Sequence, residues 1–69
     1  MFTSLSLGDR VNWETLSGTS RGTIVGMRLE YTETYEIIPW ITVEYDDKYR
    51  KFEFRGIKED LEMFDFIVL

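Results

Sequence analysis

The chain has 69 residues, 13 of them acidic and 8 basic, for a net charge of −5, and it contains neither cysteine nor histidine. That length allows one domain spanning residues 1–69, which buries only about 60% of the surface its unfolded chain exposes, so every apolar position counts. Without thiols there is no disulfide and no thiolate nucleophile, and without imidazole the commonest general base and transition-metal ligand are missing.

Along the chain, Phe2, Leu5 and Leu7 alternate loosely, and Gly8-Asp9 signals a turn. From Arg10 to Glu14 the period is two, with Val11 and Trp13 facing one way and Arg10, Asn12 and Glu14 the other, which predicts a half-buried strand. Thr15 to Ser20 is rich in Ser, Thr and Gly and reads as a loop. Gly22 opens a second strand that carries Ile24, Val25, Met27, Leu29 and Tyr31. Gly26 interrupts its alternation and predicts a bulge or sharp bend. Thr32 to Glu36 reads as the tip of a long hairpin. Pro39 has no N–H to give a ladder, so it belongs at a strand start or edge.

A third strand is predicted from about Trp40 to Tyr45, with Ile41, Val43 and Tyr45 on one face and Trp40, Thr42 and Glu44 on the other. Asp46-Asp47-Lys48 is a polar turn. The fourth strand, from about Tyr49 to Arg55, turns Phe52 and Phe54 inward, and Gly56 ends it. Ile57 to Glu62 is too short for an independent α-helix, and one 3₁₀ turn over Lys58–Leu61 would tuck Leu61 inward. Met63 to Leu69 reads as a fifth strand. The expected fold is therefore all-β: a five-stranded SH3-like barrel with a short 3₁₀ turn before the last strand.

Four pieces of sequence carry a family resemblance. Gly8-Asp9-Arg10-Val11-Asn12-Trp13 resembles the opening of Tudor-like and KOW-like members of the SH3-like barrel superfamily. Arg21-Gly22-Thr23-Ile24-Val25 resembles their second strand, Ile41 to Asp47 their third, and Glu59-Asp60-Leu61-Glu62 the approach to their last. The resemblance implies the barrel. It implies no single function, because members bind nucleic acid, methylated side chains, ribosomes, polymerases or redox enzymes. The chain departs from nucleic-acid-binding members in being acidic, and its Asp46-Asp47-Lys48 turn lacks the glycine often found in Tudor domains.

Three sets of residues are candidates for binding. Tudor-like barrels hold a methylated ammonium ion between ring faces, and the matching positions are Trp13 and Tyr45, with Tyr49 and Asp46 nearby. Trp13 and Tyr45 also lie on the inward parity of their strands, which reads them as core. The segment Glu30 to Glu36, with Tyr31, Glu33, Tyr35 and Glu36, mixes rings with carboxylates and no cation, and Trp40, on an outward parity, joins it. Such a surface suits a basic protein partner; the plainer reading is a solvated hairpin. Lys48, Arg50 and Lys51 with Tyr49 form the one basic cluster, open to phosphate contact and base stacking, or simply a charged turn that protects an edge.

The run from Met63 to Leu69 is apolar on both parities. Either Phe2, Leu5 and Leu7 cover its second face, or it pairs in a homo-oligomer. No apolar run approaches the ~18 residues of a membrane span, and no leader pattern opens the chain. A cytoplasmic location without a membrane partner is expected. Ser and Thr have no histidine to activate them, and the acidic residues lack EF-hand spacing; no catalysis, no metal and no cofactor is expected. The function expected is a small acidic module that docks on a larger protein as an inhibitor or accessory subunit, of a kind suited to a phage or mobile element. The alternative is a nucleic-acid-associated module acting through residues 48–51.

Overall fold

A computed structural model of the chain describes residues 5–47 and 49–69. Five strands and one short helix follow in the order β1 (Arg10–Thr15), β2 (Gly18–Tyr31), β3 (Ile37–Tyr45), β4 (Lys51–Arg55), α1 (Lys58–Met63) and β5 (Ile67–Val68). They form one antiparallel sheet with the spatial order β4-β3-β2-β1-β5. Among the described residues no ladder joins β4 to β5, so the backbone does not close into a barrel. Side chains bridge the gap instead: Phe54 meets Phe66 at 4.7 Å between ring centroids, and Phe52 meets Phe64 edge-on at 5.3 Å.

The core follows the period-two pattern. Val11 and Trp13 from β1, Ile24 from β2, Ile41 and Val43 from β3 and Phe54 from β4 are buried, together with Leu5. Met27, Tyr45, Phe52, Leu61, Phe64 and Phe66 pack around them. Trp13 sits at the centre, edge-on to Tyr45 at 5.1 Å and stacked on Phe52 and Phe66 at 6.2 and 6.1 Å. Its Nε1 is buried without a partner among the described residues. An unmet donor costs about 1–3 kcal/mol, so ring packing must hold this tryptophan in place.

The bulge predicted at Gly26 is present. Ile24 faces Val43 and Gly26 faces Thr42, which leaves Val25 as the extra residue. The shift resets the parity of β2. Met27, Leu29 and Tyr31 therefore continue on the face that carries Ile24, while Arg28 and Glu30 turn outward.

Several boundaries differ from the sequence expectation. β2 starts at Gly18, not Gly22, because Thr15–Gly18 closes a tight hairpin with β1 in place of the expected loop. β3 starts at Ile37, so Pro39 lies inside it, opposite Leu29. The fit is still compatible with the missing N–H. The Pro39 carbonyl accepts from Gly56 N at 2.7 Å, so this residue's backbone groups face the β4 side, where β4 has just ended.

The expected 3₁₀ turn is instead a six-residue α-helix, with Leu61 N donating to Ile57 O and Phe64 N to Asp60 O. The expected fifth strand over 63–69 shrinks to two residues. Met63 ends the helix, and Asp65, at φ 49°, reverses the chain before β5 can pair with β1.

No helix among the described residues is long and apolar enough to cross a membrane.

Candidate interaction surface

β2 is 14 residues long, and at about 3.3 Å per residue it can run the full 37 Å length of the molecule. Its neighbours are shorter. β1 pairs with it only as far as Thr23, and β4 pairs with β3 only as far as Trp40. From Leu29↔Pro39 outward the sheet is therefore a two-stranded ribbon, which we call the arm.

The tip of the arm is ordered by local hydrogen bonds. Thr32 N donates to Glu36 O at 2.9 Å, Tyr35 N to Thr32 O at 3.0 Å, and Glu36 N to Thr32 Oγ1 at 3.1 Å. Closing this turn puts Tyr35 at φ 63°, the left-handed region that disfavours a side chain of this kind. Tyr35 is 95% exposed and Tyr31 72%. On the face continuous with the core, Leu29 and Ile37 are each more than half exposed. Glu33 and Glu36 are exposed at the tip, and residues 29–39 contain no cationic side chain.

The outer face at the base of the arm carries a connected polar cluster. Trp40 Nε1 donates to Glu30 Oε1 at 3.1 Å, and the Arg28 guanidinium lies 5.3 Å from the centroid of the Trp40 ring. Arg28 also grips Glu53 with a fork, Nε to Oε2 at 3.2 Å and Nη2 to Oε1 at 3.1 Å. Those hydrogen bonds hold Glu53 below its ordinary pKa and Arg28 above its own. The outward parity expected for Trp40 is thus observed, and the ring is half-buried under Arg28. The sequence reading placed Glu30 in this region but did not anticipate Arg28 or Leu29 there. The signal was available: a bulge at Gly26 shifts every later residue of β2 by one parity.

The aromatic cage needs correction. Trp13 is wholly buried and offers no ring face to a ligand, because the core of so small a domain needs its bulk. Tyr45 is half-buried against the edge of Trp13, while Tyr49 is fully exposed in the turn beyond it. Asp46 is engaged by Arg10, whose guanidinium takes both carboxylate oxygens; this pairing lowers the pKa of Asp46.

Of the basic cluster, Lys48 lies outside the described residues. Arg50 is exposed, and its carbonyl closes the turn by accepting from Tyr45 N at 3.0 Å. Lys51 is exposed and stands opposite Glu44.

At the other end of the sheet, Leu5 is buried, but Leu7, Met63, Ile67, Val68 and Leu69 are exposed. Phe2 lies outside the described residues. Phe64 and Phe66 turn into the core. Behind them Asp60, buried in the first turn of α1, accepts from Arg55 at three points: backbone N at 3.2 Å, Nε at 3.1 Å and Nη2 at 2.8 Å. This lock fixes α1 against the end of β4.

Comparisons with family models, with curated proteins and with solved structures give no match.

Proposed function

We propose that this chain is an SH3-like interaction domain that docks through its β2–β3 arm on a larger protein with a basic surface, as an inhibitor or accessory subunit. Support for the fold reading comes from the strand order, with a four-strand meander from β1 to β4, β5 beside β1 and a helical turn between β4 and β5. That is the strand plan of the resemblance noted in the sequence.

One observation carries the docking reading. The arm holds Leu29, Tyr31, Tyr35 and Ile37 exposed on an ordered, hydrogen-bonded ribbon, and the charged residues within 29–39, Glu30, Glu33 and Glu36, are all carboxylates. Rings and aliphatics on a rigid support give contact area at small entropic cost. Glu33 and Glu36 at the rim favour a partner of opposite charge and speed the encounter.

The double variant Tyr35→Ala/Trp40→Ala tests the reading against a partner purified from the native host. Loss of binding with an unchanged far-ultraviolet spectrum supports it. Unchanged affinity removes the arm as the docking site, and recovery of nucleic acid in place of a basic protein overturns the partner class.

A further inference from the structure

The arm has a second property: among the described residues, its β2 edge is open. Gly8 N donates to Ile24 O and Ile24 N to Asp9 O, the last backbone bonds on that side among the described residues. Among the described residues no strand lies beside Val25–Tyr31 there. Because the Pro39 carbonyl faces β4, the pair Leu29↔Pro39 is a non-hydrogen-bonded one. Antiparallel pairs alternate, so the N–H and C=O groups of Met27, Leu29 and Tyr31 all point away from β3, into the open edge.

The sequence at this edge is self-complementary. We propose that two copies of the chain pair antiparallel along β2, about a two-fold axis through Leu29, to form one continuous sheet. In that register Leu29 faces Leu29 of the partner subunit. Met27 faces Tyr31 of the partner subunit, and Arg28 faces Glu30 of the partner subunit; each of these two pairs occurs twice by symmetry.

Three features agree on this register. The backbone groups that point outward belong to Met27, Leu29 and Tyr31, the residues that form hydrogen-bonded pairs across the axis. Their side chains share the apolar face, so Met27–Tyr31 and Leu29–Leu29 contacts extend the core across the seam and cover Leu29 and Tyr31, which are exposed in the single copy. Arg28 and Glu30 share the outer face, so opposite charges meet in the closer, non-hydrogen-bonded pairs. A slip by one residue in either direction would bring Leu29 and one of its two apolar neighbours against charged residues. The turn at Thr32–Glu36 ends each added strand before it reaches the covered position at Ile24.

The test is a charge-swap pair read by sedimentation equilibrium. Wild type is expected to shift with concentration from 8.3 kDa toward twice that mass. Arg28→Glu alone places glutamates opposite each other and stays monomeric, and Glu30→Arg alone does the same with arginines. An equimolar mixture of the two variants restores opposite charges at both positions and dimerises.

Amide exchange gives a readout that needs no variant. The N–H groups of Met27, Leu29 and Tyr31 gain protection as concentration rises, whereas those of Arg28 and Glu30, already bonded to β3, change little. A wild type that remains monomeric at its highest soluble concentration overturns the proposal. So do variants that dimerise like wild type, which would move the interface elsewhere, and a mixture that fails to associate.

Discussion

Trp13 lies directly over Gly22: a methyl group added at Gly22 would stand 3.2 Å from the far edge of the Trp13 ring and inside the contact distance of the Glu44 carbonyl on β3. The absence of a side chain at this one position lets β3 approach while the largest core ring packs above. Gly22→Ala must push backbone apart, and overpacking of this kind costs about 1–3 kcal/mol. For a domain of this size that lowers the Tm by roughly 5–20 °C. A thermal melt followed by near-ultraviolet circular dichroism checks it, since the Trp13 signal reports the same contact.

Asp60 should matter more than any exposed carboxylate. The N-cap of α1, Ile57, makes no side-chain cap, so beside the packing of Leu61 the fork from Arg55 to Asp60 is the polar tie of the helix to the sheet. Asp60→Ala is expected to destabilise more than Asp46→Ala or Glu53→Ala, whose ion pairs are open to solvent. Denaturant midpoints of the three variants give the ranking. In Asp60→Ala the amides of Leu61 and Phe64 should lose protection before those of β2 and β3.

Stability should fall on the acid side. Asp46 is held below its ordinary 3.8 chiefly by hydrogen bonds from Arg10, and Glu53 below its ordinary 4.5 chiefly by those from Arg28. A carboxylate whose pKa is lower folded than unfolded contributes stability that is present above its unfolded value. That contribution is lost as pH falls through the folded one. Melting temperature measured from pH 6 downward should decline below about 4.5, and Asp46→Asn/Glu53→Gln should flatten that decline. An unchanged slope would assign the acid limb to other groups.

Tyr35 separates folding from binding. Its left-handed backbone costs a residue of this kind about 1–2 kcal/mol, which glycine avoids while giving back part in unfolded-chain entropy. Tyr35→Gly should therefore raise the Tm by roughly 2–5 °C and still weaken partner binding, because the exposed ring is gone. A variant that is more stable and binds as tightly would remove Tyr35 from the docking surface.

Much of the sheet was legible because side-chain alternation and burial have the same cause. Val11, Trp13, Ile41, Val43 and Phe54 announce their inward parity in the sequence, and Gly26 announces the bulge. The strand ends were not legible. Serine, threonine and glycine between Thr15 and Ser20 suit a loop as well as a tight hairpin. Only pairing with β1 decides between them. Pro39 suggested a strand start because its tolerance depends on where β4 ends, a tertiary fact. The same limit applies to binding residues. Trp13 resembled a cage wall by position in a motif, but core volume claimed it. Tyr31, Tyr35 and Trp40 could be read as a surface, whereas Arg28 over Trp40 depends on the parity reset at the bulge.

Placing a photoreactive side chain at Tyr35, and in a control chain at the fully exposed Leu16 on the β1–β2 turn, addresses the docking arm most directly. Irradiation of each with the native host's proteins should yield one dominant adduct from position 35, to a basic protein, that excess wild type suppresses and excess Tyr35→Ala/Trp40→Ala does not. Equal adducts from both positions, or suppression by both competitors, would contradict a role for the arm.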